Sequence, residues 1–347
     1  MILNKIHLQH FRNFDDVRFE FHPVLSIIIG ENARGKTNIL EGVYVAIAGW
    51  GFRESREEEL VQWNSENAFV ASEWIENNER NNFSISFMKR GEKIEKHFFV
   101  DKTRKTHLVY SQFQTKAVLF APEQIEILTG SPERRRDYFN RLISHFDSDY
   151  KKKLHNYGHA LYKRNKILEH RANTSSLQEE LLFWDDYLEK QAAYITQKRE
   201  EYLTYLNANQ KVEDKMFRVE YIKNELTKAR LESVFEQEQR LRKTTIGPQK
   251  DDFHFFLSDG EEKNIHRFGS RSEQRLTVFW LKLNELRYLE DKFKSKPMLL
   301  LDDIFSELDS RNTQLIFDMI GKYQTILTTT EKELLALAHI EKSIINL

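Results

Sequence analysis

The 347-residue sequence has no cysteine. That excludes disulfides and thiolate metal sites, and it fits a reducing compartment, so a cytoplasmic location is expected. Proline is scarce, with 5 in all, and neither an internal repeat nor a low-complexity tract is present, which argues against long disordered linkers. No apolar stretch is long enough to span a bilayer, so no membrane role is expected. The amino terminus carries no signal-peptide pattern, and Met1 to Leu8 alternates like a strand instead. A bulk charge of one sign is also missing. Lys+Arg total 53 against 54 Asp+Glu, a net charge of −1, so any contact with nucleic acid must use local patches. No nuclease-like cluster of acidic and histidine residues is found. What is present is 40% hydrophobic content, enough for a sizeable core, and 31% charged content, which points to much solvated helix surface. The length suits one large domain with an insertion, or two domains.

The strongest local signal is Gly30-Glu31-Asn32-Ala33-Arg34-Gly35-Lys36-Thr37, a G-x-x-x-x-G-K-T P-loop. Val24 to Ile29 before it reads as a buried parallel strand, and Asn38 to Tyr44 after it can begin a helix. In that context successive backbone N–H groups form an anion nest at the positive end of a helix dipole. Lys36 is then expected to reach the β- and γ-phosphates, and Thr37 to ligate Mg²⁺. The other reading is a glycine-rich strand-to-helix turn with a surface lysine.

Along the chain, residues 1 to 30 read as two strands joined by the turn Arg12 to Asp16. Arg12 is either a phosphate or adenine contact or a surface turn arginine. The loop Gly49 to Arg56, with Trp50, Phe52, Arg53 and Arg56, either touches nucleotide or DNA backbone or tethers itself by packing its aromatics. Four runs, Ala68 to Trp74, Phe83 to Met88, Lys96 to Val100 and Lys116 to Phe120, are expected to form an antiparallel meander. Its basic turn holds Lys102, Arg104, Lys105 and His107, a phosphate-contacting edge or a solvated run. Beyond Gly130-Ser131-Pro132 the chain becomes helical and highly charged. Ser131 and Pro132 read as N-cap and first helical position, and apolar residues recur at helical spacing from Phe139 to Leu206. We expect about four helices, interrupted near 171–175, with too few heptads for a long coiled-coil arm. Arg134, Arg135, Arg136 and Lys151 to Lys153 are either DNA contacts or a solvated face. Residues 244 to 260 return to strand chemistry. The domains expected are an ATPase lobe of 1–125 with 244–347 and a helical lobe of 126–243.

Two further stretches complete a candidate site. Phe268 to Arg275 is a small polar loop opening a helix, where Ser270 can grip an anion or simply cap. Met298 to Leu301 is a fully apolar strand ending in Asp302-Asp303. A carboxylate buried at a strand end needs a compensating cation, so Asp302 is the expected water-mediated Mg²⁺ partner and Asp303 the group that polarises an attacking water. The strand Gln324 to Thr330 can place a γ-phosphate sensor, Thr329, beside the site, or it ends in a plain strand cap.

The halves of this site lie at opposite ends of the chain, an order similar to ABC-type ATPase heads of the SMC kind. Within that class the sequence resembles the RecF family of DNA replication and repair proteins over nearly its whole length. The resemblance is carried by Phe11-Arg12-Asn13-Phe14, the P-loop with Asn38 to Glu41, Phe52-Arg53, Ser55-Arg56 and Glu58-Glu59-Leu60. It continues through Phe120, Pro122-Glu123, Gly130-Ser131-Pro132, Arg134 to Arg136, Arg164-Asn165 and Leu168. Thr245, Gly247-Pro248, Asp251-Asp252-Phe253, Gln274-Arg275, Leu299 to Asp303, Glu307-Leu308-Asp309 and Thr328 to Glu331 close the set.

That resemblance implies an α/β fold: an ABC-type P-loop ATPase head of mixed sheet and antiparallel meander, with an inserted helical lobe. It implies ATP and Mg²⁺ as cofactors and a weak DNA-stimulated ATPase. It implies an ATP-dependent homodimer in which Ser270 and Gln274 complete the partner's nucleotide site. Double-stranded DNA and single-/double-strand junctions are the implied substrates, with mediators of the RecO/RecR kind as partners in loading recombinase at gaps during DNA damage and SOS responses. Arg56, Lys105, Arg134 and Arg135 are the implied DNA contacts. Three departures stand out: Ala33 for a P-loop glycine, Ser272 for a signature glycine, and Gln249-Lys250 for His-Arg. A different ABC-type protein, such as an anti-phage ATPase with a partner nuclease, and a non-hydrolysing ATP-dependent DNA-binding module are the alternatives.

Overall fold

The computed structural model describes the chain outside residues 54–56, 92, 113–114, 171–174, 213, 305–309 and 331–339, and outside the side chains of 170, 175–178 and 310–313. It divides into two compact units, Met1–Glu123 with Glu285–Leu347, and Gln124–Asn284.

The first unit opens with the hairpin β1 (Ile2–Phe11) and β2 (Phe14–Glu20), as its alternation requires. The strand β3 (Leu25–Ile29) is buried at every residue and leads to α1 (Lys36–Ala48). Four more strands follow: β4 (Asn67–Glu76), β5 (Glu79–Arg90), β6 (Lys93–Val100) and β7 (Thr103–Lys105). They join the hairpin in one antiparallel sheet of order β2-β1-β4-β5-β6-β7. Period-two burial places Ala68, Val70, Ser72 and Trp74 of β4 on the core side. After α2 (His107–Gln112), β8 (Ala117–Phe120) leaves this sheet. The expected fourth strand of the meander is therefore a correction. Its Ala-Val-Leu-Phe run is buried on both faces, which suits a parallel sheet rather than a half-solvated antiparallel one.

The second unit contains α3 (Glu126–Thr129), α4 (Pro132–Phe146), α5 (Ser148–His170) and α6 (Ser175–Ala208). Then come β9 (Lys211–Val212), β10 (Lys215–Ile222), α7 (Lys228–Leu241), β11 (Asp252–Asp259), β12 (Glu261–Asn264), α8 (Ile265–Phe268) and α9 (Arg271–Phe293), inside which the division falls. The unit is not purely helical and does not stop at 243. β10 pairs residue for residue with β11 from Met216↔Ser258 to Ile222↔Asp252, in a sheet of order β12-β11-β10-β9. That pairing binds 252–264 to this unit rather than to the first. The turn between α7 and β11 is held by buried ion pairs. Arg164 bonds Asp185 and Glu238, each at 2.6 Å, and Arg199 bonds Asp251 and, at 2.9 Å, the Pro248 carbonyl.

The chain then returns to the first unit with β13 (Met298–Asp302), α10 (Ser310–Ile320), β14 (Thr325–Thr329) and β15 (Lys342–Asn346). With β3 and β8 they build an all-parallel sheet of order β15-β3-β14-β13-β8. Helix α1 contributes Ile39, Leu40, Val43 and Ile47 to one core with Leu8, Val70 and Ile85 of the antiparallel sheet and Leu300 and Ile326 of the parallel one. The approach is close at Gly42, where a Cβ would stand 2.7 Å from Leu8 Cδ2.

Candidate functional site

Order in the parallel sheet decides what meets at the carboxyl ends of its strands. β14 lies between β3, which feeds the P-loop, and β13, which ends in Asp302. Ligand sites of parallel α/β sheets form at this end. Glu31, Asn32, Ala33 and Arg34 are exposed, and Gly35 (φ 105°) turns the chain into α1. A Cβ on Gly35 would lie 2.8 Å from Asn13 Nδ2 and 2.9 Å from Phe14 Cζ, so the turn needs glycine in both conformation and space. Ala33 occupies the left-handed region with φ 67°, a strained place for a residue with a Cβ.

Lys36 is buried and curls over the loop, its ammonium donating to the carbonyls of Gly30 at 2.7 Å and Glu31 at 3.1 Å. The Thr37 hydroxyl donates to Asp302 Oδ1 at 2.9 Å, and the Thr328 hydroxyl donates to the same oxygen at 2.7 Å. Burial pushes the Asp302 carboxyl above the usual carboxylate range, and the hydroxyls of Thr328 and Thr37 pull it partway back. The oxygen-only pair Thr37 and Asp302 fits a hard divalent cation such as Mg²⁺, whose charge would relieve that carboxylate. Among the described residues no three His, Asp or Glu side chains form a metal cluster, and Mg²⁺ characteristically takes few protein ligands beside phosphate and water. Asp303 has a left-handed backbone (φ 46°), and its N–H donates to the Thr328 carbonyl at 3.2 Å and hydroxyl at 3.1 Å. Thr329 is buried opposite Ile29 at the end of β14. The threonine that touches Asp302 is thus Thr328, which the sequence pattern did not single out. The register Asp302↔Thr328 makes the choice.

Behind the loop lies a network read only in fragments from sequence. Arg12 forms a bidentate pair with the fully buried Glu41, at 2.7 and 3.1 Å. Arg53 donates to Asn38 Oδ1 at 2.8 Å, and Asn38 donates to Asn13 at 2.6 Å. Arg12 is therefore engaged with a helix α1 carboxylate rather than lying loose on a surface turn.

In the second unit Ser270 and Glu273 form a reciprocal capping box at the start of α9. Glu273 Oε2 accepts from the Ser270 N–H and hydroxyl, both at 2.8 Å, and the Glu273 N–H donates to Ser270 Oγ at 3.3 Å. Burial would raise the Glu273 carboxyl, but hydrogen bonds from Lys263 and Ser270 outweigh it and hold it below the usual range. Gln274 is buried in the first turn. Of the expected DNA contacts, Arg56 lies outside the described residues. Lys105 is half-buried at the end of β7. Arg134 is half-exposed, 3.4 Å from Glu126. Arg135 is a correction: it is 4% exposed, pairs bidentately with Asp252 at 2.6 and 3.1 Å, and donates to the Gly130 carbonyl. Its helical face points into the unit, where a duplex cannot reach it.

Comparisons with known proteins place this geometry among relatives. Residues 2–346 match the family model described as the RecF/RecN/SMC N terminal domain. The chain is 32% identical over 369 residues to the DNA replication and repair protein RecF of Limosilactobacillus reuteri (strain DSM 20016), covering 100% of this chain and 95% of that one. It is 30% identical over 347 residues to RecF of Clostridium botulinum (strain ATCC 19397 / Type A), covering 95% and 93%. A solved structure of the recombination mediator protein RecF with ATP, from the RecFOR pathway, superposes with a TM-score of 0.85 at 26% identity, covering 98% of this chain and 93% of that one. An Smc head domain from Pyrococcus yayanosii shares the fold, with a TM-score of 0.55 at 13% identity over 99% of this chain and 94% of that one.

Proposed function

This chain belongs to the RecF proteins of the RecF/RecN/SMC N-terminal domain family, and from that premise we propose that it is an ATP-driven DNA clamp of repair and replication. The reading rests above all on the 2.9 Å bond between Thr37 and Asp302, which brings the P-loop threonine to the strand-end carboxylate. ATP would bind with its phosphates in the nest before α1, where backbone N–H groups and the helix dipole favour anions. Lys36, already inside the loop, would exchange its carbonyl partners for phosphate oxygens. Thr37 and Asp302 would hold Mg²⁺, which supplies positive charge against the phosphates. Asp303, fixed through its N–H to Thr328, would orient the attacking water. Ser270 and Gln274 would complete the nucleotide site of a second copy, so that ATP closes a homodimer and hydrolysis opens it. The closed dimer would grip duplex DNA and junctions and cooperate with mediators of the RecO/RecR kind to load recombinase.

The test is the solution mass of Asp303→Asn by light scattering, with and without MgATP. A shift from monomer to dimer supports the clamp. A mass that stays monomeric at saturating ATP rejects it.

One observation favours a second reading. The Glu273 carboxylate holds both the N–H and the hydroxyl of Ser270, the groups needed by a partner's phosphate. Together with Ser272 in place of the usual glycine, this suits a module that binds DNA with ATP but does not turn ATP over. DNA binding with ATP and no phosphate release identifies it.

A further inference from the structure

The second unit carries a cleft of about 570 Å³, remote in sequence from the P-loop and unused by the function above. Its volume falls within the range of small-ligand sites. One wall is the turn Thr129 to Pro132 that opens α4, and the opposite walls are β11 and the segment around α8. The side chains that face it decide what it can hold. Asp252 is the one carboxylate in the lining, and Arg135 already neutralises it with two hydrogen bonds. That leaves no free negative charge for a metal ion.

The remaining groups are donors. Arg267 is exposed, and its guanidinium makes no hydrogen bond or ion pair among the described residues. It is brought to the cleft by Asn264, whose side chain caps α8 by accepting from the Arg267 N–H at 3.2 Å. His266 donates from Nδ1 to the Leu128 carbonyl at 2.7 Å, which fixes the ring and leaves Nε2 as its second polar atom. His254 stands on β11 with Nε2 3.4 Å from Asp252. Ser131 makes no side-chain cap to α4, so its hydroxyl is also available. Apart from Pro132 and Gly130 the lining is polar throughout, which disfavours an apolar ligand.

We propose that this cleft is a phosphate site, with Arg267 as its principal cation, Ser131 as a hydroxyl donor, and His254 and His266 as further donors in their protonated forms, in which both ring nitrogens carry a hydrogen. Guanidinium forks match phosphate oxygens, and imidazole and hydroxyl groups complete such contacts. The shared chemistry is a phosphate oxyanion, held on a nucleic-acid strand or free in solution. A strand is favoured because the cleft is far larger than one free anion needs. That choice rests on the duplex-binding reading above; the phosphate site itself does not.

The test uses the full chain, with Arg267→Glu and the double variant Arg267→Ala/His266→Ala. Both positions are exposed, and melting temperatures confirm folding. One arm measures binding of a fluorescent duplex with a single-strand overhang by anisotropy, in ATP, over a salt series. The other titrates inorganic phosphate by calorimetry. On a strand-bound phosphate, the double variant weakens DNA binding roughly fivefold to tenfold and lowers the salt slope by about 1. Loss of phosphate heat with DNA binding unchanged keeps the phosphate site and rejects the strand. Unchanged DNA binding and unchanged phosphate heat overturn the proposal. A wild-type chain that binds no duplex at all refutes the clamp, while the phosphate titration still decides the cleft.

Discussion

Thr37 and Asp302 lie 265 positions apart in the chain and 2.9 Å apart in the fold, hydroxyl to carboxylate. Thr328 donates to the same carboxylate oxygen from the strand between them. Three segments thus converge on one buried negative charge, and the behaviour of that charge is open to measurement.

Asp302 sets a pH dependence. Its carboxyl is raised by burial, so the folded state holds the proton more tightly than the unfolded chain does. The destabilisation is therefore absent below the ordinary carboxylate range, near pH 4, and grows as pH rises through the raised value. Asp302→Asn removes it. Without divalent metal, the variant should melt a few degrees higher than the parent at pH 8, on the scale of about 1 kcal/mol. The gap should close as pH falls towards 4. A gap that widens instead would mean that Asp302 is stabilised as an anion.

Arg12 and Glu41 form a pair whose carboxylate is fully buried. Arg12→Ala removes both hydrogen bonds to that carboxylate, leaves it only Arg53 at 3.8 Å among the described residues, and should lower unfolding free energy by about 3 kcal/mol in urea denaturation. Arg12→Lys should recover little of it, because one ammonium cannot match both oxygens.

Ala33 has a left-handed backbone that glycine adopts freely. Ala33→Gly should gain about 0.5–1 kcal/mol after the entropy of the unfolded chain is counted. Gly35→Ala should do the reverse and abolish nucleotide binding, since its methyl meets Asn13 and Phe14 within 3 Å. Differential scanning calorimetry and ATP titration read both.

Arg134 and Arg135 are neighbours with opposite fates. Arg135→Ala leaves Asp252 with the Phe253 N–H and His254 as its partners and should reduce stability by about 2 kcal/mol. Arg134→Ala should leave stability nearly unchanged, because its pair with Glu126 is half-exposed. If the start of α4 meets DNA, Arg134→Ala should weaken duplex binding alike for all sequences and lower the salt slope by about 1.

Ser270→Arg removes an N-cap and should lower stability by about 1 kcal/mol while leaving monomer ATP binding intact. Light scattering in MgATP should show no dimer. A normal dimer would remove Ser270 from the shared site.

Much of the first unit was legible in sequence because its signals are local. The buried run of β3, the glycines of the loop and the start of α1 are contiguous, so one stretch of chain specifies the strand, turn and helix. The apolar run before Asp302 marked a second strand end. β10 was missed although Phe217, Val219 and Tyr221 alternate with Arg218 and Glu220. Eight residues among long charged helices gave too short a period-two signal to stand out. β15 escaped for a similar reason, as a five-residue strand near the end of the chain.

The sequence by itself determined the chemistry available: a glycine-flanked loop before a helix, a lysine and a threonine at the helix start, and two carboxylates at a strand end. It also determined that nucleic acid could be met only through patches, since the net charge is −1. Tertiary structure alone decided which groups touch. Parallel pairing is set between segments distant in sequence, and one step of register exchanges Thr328 for Thr329 beside Asp302. Helix rotation likewise exposes Arg134 and buries Arg135. Neither register nor rotation leaves a mark within a single element, because each depends on the surface that the element packs against.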